Sequence, residues 1–143
     1  MKTRYRTYTR PGKIHVATND FECRACGAFV SANAALSGVS NRNHCPYCLA
    51  SRHLDHFEAG DRLSACKARM QAIGLTFKQR AKKYTSHQPG ELMIIHLCDD
   101  CGKIAINRIA ADDDPLMILA LLDIHLSNAL RNTLAQHVIT PLT

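Results

Sequence analysis

Three Cys-x-x-Cys pairs, Cys23/Cys26, Cys45/Cys48 and Cys98/Cys101, with a lone Cys66 between the second and third, are the residues of this chain best suited to chemistry. Two thiolates separated by two residues can both reach one tetrahedral Zn²⁺ from a tight turn, and two such turns close a four-coordinate shell. The run Cys23-x2-Cys26-x18-Cys45-x2-Cys48 has the spacing of such a site. Disulfides are the rival use of cysteines. Seven cysteines would leave one unpaired, and the opening residues Met1-Lys2-Thr3-Arg4-Tyr5-Arg6 carry no apolar signal segment. Zinc held by reduced thiols in a cytoplasmic setting is the expectation.

Seven cysteines are one short of the eight ligands that two closed sites require, so a histidine should complete the second. Two arrangements satisfy that count. In the preferred one, Cys23, Cys26, Cys45 and Cys48 share one ion, while Cys66, Cys98, Cys101 and a histidine share the other. In the alternative, the glycine-terminated turns Cys23-Arg-Ala-Cys26-Gly27 and Cys98-Asp-Asp-Cys101-Gly102 face each other as a zinc ribbon, leaving Cys45, Cys48, His53 and Cys66 for the second ion. His53 can serve in either arrangement and is the first histidine candidate; His96 and His44 follow. A histidine near such a site more often braces it by hydrogen bonds than ligates. Closed sites of this kind have no open position for substrate, which makes the expected role structural.

Composition explains the need for metal. The 143 residues contain no Trp and 6% aromatics, and the first hundred residues are too polar for a large core. A structural zinc site contributes about 10–16 kcal/mol in zinc-finger peptides, more than the net stability of most domains.

The net charge of +6 is unevenly spread. Lys2, Arg4, Arg6, Arg10 and Lys13 stand with Tyr5 and Tyr8 in an acid-free opening. Arg62, Lys67, Arg69, Lys78, Arg80, Lys82 and Lys83 form a second acid-free stretch. From Glu91 onward seven acids face three bases. Cations with interspersed aromatics are the footprint of phosphate-backbone binding, although a basic run by itself is most often a solvated face.

Residues 1–20 read as a basic arm, with Pro11-Gly12 as a turn. Phe21-Glu22 should lead into the first metal turn and Gly27–Val30 leave it as a strand; Asn33–Asn43 reads as a hairpin or irregular loop. Pro46 suits the first position of a helix, which predicts a short helix from Pro46 to about Phe57, the treble-clef order. Leu92–Leu97 should be an apolar strand that delivers Cys98, with Ile104–Ile109 as its hairpin partner. Asp112-Asp113-Asp114-Pro115 places acids and proline at a helix start. Leu119, Leu122, Leu126, Leu130 and Leu134 then predict one helix over 116–138, although Leu116–Leu122 is apolar all round. Asp123, His125 and Arg131 interrupt that segment too early for a membrane span. It should pack on the same chain, with self-association or a protein partner as the alternative. The expected fold class is α+β: zinc-stabilised treble-clef or zinc-ribbon-like modules with short hairpins over 21–111, and a long helix over 112–143.

The string Arg42-Asn43-His44-Cys45-Pro46 resembles the signature of the RNHCP-domain family, and the similarity runs on through Cys48-Leu49, Ser51, His53, Asp55, Gly60-Asp61-Arg62, Cys66, Met70, Cys98, Cys101-Gly102 and Asn107-Arg108-Ile109. It spans about Phe21 to Asp114. The resemblance implies a bacterial, cytoplasmic, zinc-binding protein and supports Cys66 and His53 as part of the site; it implies no activity. Val39-Ser40-Asn41 replaces the glycine-threonine usual before the signature.

Two functional expectations follow. The first is a non-enzymatic zinc protein that binds structured RNA, ribosomal RNA or the ribosome foremost. Lys2, Arg4, Arg6, Arg10 and Lys13 would run along phosphates, Arg42 and Arg52 would flank the zinc-bound helix, and Lys78, Arg80, Lys82 and Lys83 would add a second contact. The alternative is a ββα-metal nuclease, with His44 as general base, Asn43 orienting it, and Asp55 or His56 holding Mg²⁺; the scarcity of acids near His44 weighs against it. A redox role for Cys45-Pro46-Tyr47-Cys48 needs a preceding βαβ strand that this chain does not suggest.

Overall fold

A computed structural model describes residues 20–54, 63–78 and 90–143. The basic residues Lys2, Arg4, Arg6, Arg10, Lys13, Arg80, Lys82 and Lys83, together with Asp55 and His56, lie outside these segments.

The first described element pair is a short hairpin, β1 (Phe21–Glu22) paired antiparallel with β2 (Phe29–Val30), which wraps the first metal turn. A four-residue helix, α1 (Ala34–Ser37), follows, capped by Asn33 and ended by left-handed Gly38. The main sheet is antiparallel in the order β3 (Ser51–Arg52), β4 (Arg69–Phe77), β5 (Leu92–Cys98) and β6 (Ile104–Arg108). The β5–β6 hairpin forms as its alternation predicts, with Ile95 opposite Ile106.

The predicted helix from Pro46 does not form. Residues 46–48 are a turn, and Leu49 adopts φ 64°, a left-handed conformation that no right-handed helix can continue through. The chain passes instead into β3.

Nor is the C-terminal segment one helix. It divides into α2 (Pro115–Ala120), a 3-10 turn (Leu121–Asp123) and α3 (Asn128–Gln136), each shorter than the leucine spacing predicts. The central strand explains the division. Ile94 and Ile95 point to opposite faces of β5, and both are fully buried. One face packs Ile94, Leu75 and Leu49 against Leu121, with Met117 and Ile118 beside them. The other packs Ile95 and Ile73 against Leu126 and Leu134. A straight helix cannot cover two faces of a sheet, so the chain breaks at Ile124, which is extended, and restarts at Ser127, whose hydroxyl accepts the Leu130 N–H. Within the apolar run Leu116–Leu122, Met117, Ile118, Leu121 and Leu122 pack on the first of these faces, while Leu116 and Leu119 are exposed. Beyond α3 the chain returns to β4, where the Thr76 hydroxyl donates to Thr140 O and Leu142 N donates to Leu75 O. Among the described residues, no helix is long and apolar enough to cross a membrane.

Candidate metal centres and the signature clamp

Each Cys-x-x-Cys pair sits on the same backbone device. In the first, Cys23 N donates to Ala28 O and Gly27 N to Cys23 O, both at 2.8 Å. In the second, Cys45 N donates to Ala50 O at 2.9 Å and Leu49 N to Cys45 O at 2.8 Å. In the third, Cys98 N donates to Lys103 O at 2.8 Å and Gly102 N to Cys98 O at 3.2 Å. The residue four beyond the first cysteine is left-handed in all three: Gly27 at φ 78°, Leu49 at 64°, Gly102 at 75°. Amide groups inside the turns point at sulfur, with Ala25 N and Tyr47 N each 3.4 Å from the Sγ of Cys23 and Cys45.

Leu49 holds a conformation that costs a side-chain-bearing residue about 1–2 kcal/mol, yet it is fully buried in the core. Leu49→Gly removes the strain and also the buried side chain, whose loss costs about 3–5 kcal/mol. The variant should be destabilised by about 1–4 kcal/mol in chemical denaturation at saturating zinc. A neutral or stabilising result would show that strain outweighs packing at this turn.

The three turns and two isolated residues converge into two groups. Cys23, Cys26, Cys45 and Cys48 form one; His53, Cys66, Cys98 and Cys101 form the other, and the ligand atoms within each lie no more than 4.8 Å apart. Cys23 Sγ is 3.5 Å from Cys48 Sγ, Cys26 Sγ is 3.6 Å from Cys45 Sγ, and Cys66 Sγ is 3.6 Å from Cys98 Sγ. These separations far exceed a disulfide bond of about 2.0 Å and approach the ~3.8 Å between sulfurs on a tetrahedral zinc with Zn–S of about 2.3 Å. His53 Nδ1 is 3.3 Å from Cys101 Sγ, close to the ~3.6 Å expected of a nitrogen and a sulfur on one zinc. The donor sets thus fit two structural zinc ions in the preferred arrangement, and the ribbon pairing of the first and third turns is not formed.

Strand register builds the second group. Met70 on β4 pairs with both Ser51 and Cys98, so the exit of β3, the entry of β4 and the end of β5 meet at one end of the sheet. His53 just follows β3, Cys66 just precedes β4, and Cys98 closes β5.

Thiol electrostatics in both groups favour a bound cation. Burial works to raise Cys23, but backbone amides of Cys26 and Ala25 outweigh it and bring the thiol down to about 7. Burial, then crowding by neighbouring sulfurs, pushes Cys45 and Cys48 up. At the second group burial also opposes ionisation of Cys98, yet the amides of Cys101 and Asp100 lower it. The amide of Ala68 draws Cys66 down, but burial and the sulfurs of Cys98 and Cys101 outweigh it and Cys66 rises. In each group one thiolate is therefore favoured, while Cys45, Cys48 and Cys66 resist ionisation; a divalent ion removes that resistance.

The other two histidine candidates are braces. His96 is wholly buried; Nε2 lies 2.7 Å from Leu49 O and Nδ1 2.8 Å from Asn107 Nδ2. A carbonyl can only accept, so Nε2 carries the proton and Nδ1 accepts from Asn107. Burial pushes the His96 pKa down to about 4. Because this lies below the unfolded value, the stability of the neutral ring is present above about pH 6.5 and is lost as pH falls toward 4. Between about pH 6.5 and about pH 5 the loss should be about 2 kcal/mol. Denaturation of the wild type and His96→Gln in excess zinc checks it: the variant should lose correspondingly less stability over that range, and equal slopes would clear His96.

His44 and Arg42 hold the knuckle to the start of α2. His44 is 2% exposed, and its Nε2 lies 2.9 and 2.8 Å from the two Asp113 oxygens. The Arg42 side chain is fully buried. Its Nε donates to His44 O at 3.0 Å, one terminal nitrogen to Asp112 at 2.8 Å and the other to Asp113 at 3.2 Å. Asp113 also accepts Ala110 N at 2.8 Å, and Pro46 O accepts Asp114 N at 2.9 Å. Of the three aspartates, only Asp114 caps α2, accepting Leu116 N; the other two serve Arg42 and His44.

Arg42 is therefore inside the protein, and its expected RNA contact is corrected: the charge is spent on two carboxylates. Arg52 and Lys78 stay near the surface but at opposite ends of the sheet, about 30 Å apart by the length of β4. Beside Arg52 the fold brings Arg69, its cross-strand partner, and Arg24 of the first turn. Neither the arginine grouping nor the buried role of Arg42 was visible in the sequence, where all of these residues are simply basic and close to cysteines.

A mixed α+β protein with two zinc centres, one of four cysteines and one of three cysteines and a histidine, is what this fold and these sites define. The chain belongs to the RNHCP domain family, whose model matches residues 18–119. The match includes every proposed zinc ligand as well as Arg42, His44, Asp112 and Asp113. No curated protein and no solved structure matches the chain.

Proposed function

We propose that this zinc-binding protein is a non-enzymatic module that binds structured RNA on the ribosome or a ribosome-associated particle. The observation that carries this reading is the cationic corner beside the first zinc turn. Arg52 and Arg69 stand opposite each other on adjacent strands, an arrangement unfavourable for like charges that the Asp99 carboxylate offsets at Arg69, while Arg52 has no carboxylate partner among the described residues. Arg24 adds a third cation, and Lys67 leads into β4 with its backbone O facing an Arg52 terminal nitrogen at 3.5 Å. The acid-free arm from Lys2 to Lys13 and the stretch through Lys78, Arg80, Lys82 and Lys83 add charge of the same sign along the chain. Phosphate contacts of this kind position a protein without reading bases. Thiol ligands of this number suit a reducing, cytoplasmic compartment.

The nuclease alternative draws no support from the site. A general base must reach the proton it removes, whereas His44 is buried with Nε2 against Asp113. The redox alternative fares no better, because Cys45 and Cys48 belong to a four-sulfur group.

Sedimentation of the protein in host lysate through a sucrose gradient, with and without ribonuclease, tests the reading. Co-migration with a ribosomal peak that ribonuclease and high salt abolish is the expected result. Migration as a free small protein in every condition would reject it.

A further inference from the structure

A small notch lies between the first zinc turn and the β3–β4 pair, lined by Phe21, Arg24, Asn43, Ser51, Arg52 and Arg69 among others. Its inner part measures about 10 Å³, at the lower end of the ~10–15 Å³ that one water-sized oxygen needs. We propose that this notch is a seat for a single phosphate group, one oxygen entering it and Arg24, Arg52 and Arg69 holding the rest. The proposal deepens the RNA reading and rests on it for the source of the phosphate.

Three observations support the seat. Arg52 Nε is buried and has no hydrogen-bond partner among the described residues, a state that costs a charged donor well over about 1 kcal/mol unless a ligand supplies the acceptor. Arg24 makes no hydrogen bond or ion pair among the described residues, and it lines the same notch as Arg52 and Arg69. Arg69 gives its Nε–H to Asp99 at 2.9 Å and keeps its terminal nitrogens for another acceptor. Among the described residues, Asp99 on Arg69 is the one carboxylate that pairs with any of these three guanidinium groups. Guanidinium forks match phosphate oxygens in both geometry and charge. The backbone on both sides is held, by the Cys23 turn and by the strand pairing of Arg52 with Arg69.

The competing role for these cations is to offset the negative charge of four thiolates on zinc. Sulfur here is met by backbone amides of Ala25 and Tyr47, and among the described residues no guanidinium hydrogen-bonds to it.

The test uses the full chain loaded with zinc, following the arginine Nε–H resonances by ¹⁵N–¹H correlation NMR. Inorganic phosphate is titrated first, then a hairpin RNA. Arg52 Nε–H should move with phosphate in the wild type, and the double variant Arg24→Gln/Arg52→Gln should show no phosphate response. Arg52→Lys keeps the charge but not the fork and should bind phosphate several-fold more weakly. If the hairpin produces the same shift, and the double variant lowers the slope of log K against log salt by about 1, as expected for one lost phosphate contact, the source is an RNA backbone. Movement with phosphate but no binding of RNA would keep the seat, assign it to free phosphate and end the RNA reading. RNA binding without movement of Arg52 would overturn the seat and leave the RNA reading standing. Loss of zinc from the double variant with no phosphate response in the wild type would overturn it too, assigning the arginines to the metal.

Discussion

Removing zinc should unfold the cysteine-rich half of this protein and leave at most a loosened sheet. The first zinc group rests on a small apolar cluster in which two of the three buried members, Cys23 and Cys45, are themselves ligands, and Val30 is the third. Its surrounding elements are two two-residue strands and a four-residue helix. Such a unit cannot offset the conformational entropy of ordering about thirty residues, at ~1–2 kcal/mol each, by burial alone. The second group stands where β3, β4 and β5 converge, against a larger core on both faces of the sheet. Hydrogen exchange should therefore separate the two. Chelation should strip protection from residues 20–48 outright, by the ~10–16 kcal/mol that such sites contribute. Amides of Ile94 and Ile95 should keep the most protection of any. Cys26→Ala should reproduce the first effect with only one zinc lost per chain. Protection that survives complete chelation throughout 20–48 would overturn the account.

Asp113→Ala is expected to be the most damaging single change outside the metal ligands. It leaves the buried Arg42 guanidinium with one half-exposed partner, frees His44 Nε2, and removes the acceptor of Ala110 N. Breaking a buried charge pair from one side costs about 3–5 kcal/mol, because the remaining charge stays desolvated. Asp112→Ala is the control. Its carboxylate is 35% exposed and Arg42 would keep Asp113, so the cost should be about 1 kcal/mol. Denaturation at saturating zinc should rank the variants in that order. Asp113→Ala should also speed zinc exchange at the first group, since the clamp holds the Cys45 turn to the C-terminal half. Equal costs for the two aspartates would mean that burial does not govern the clamp.

The clamp also explains what the signature string is for. Only Cys45 in Arg42-Asn43-His44-Cys45-Pro46 is a zinc ligand. Arg42, His44 and Pro46 all reach forward across some seventy residues to the aspartate run before α2. Read as a sequence, that run is a helix start, and Asp114 does cap it. That Asp112 and Asp113 belong to Arg42 and His44 could not be read from it, since no local pattern links residues so far apart.

What the sequence by itself determined is local in origin. Cys-x-x-Cys spacing dictates the knuckles, because two residues are the span from which both sulfurs reach one ion. The odd cysteine count called for a histidine, and alternating apolar residues marked β5 and its hairpin with β6. Tertiary structure alone decided which turns share a zinc and that His53, not His96 or His44, joins the second group; strand register sets those distances. It also stopped the helix at Pro46, through a left-handed leucine whose strain the core offsets, and divided the C-terminal helix, because a sheet buried on both faces needs two covers. The same packing took Arg42 inside and gathered Arg24, Arg52 and Arg69 at one corner. Charge and periodicity are properties of a residue and its neighbours in sequence, whereas burial and partnership depend on chain segments that meet only in the fold.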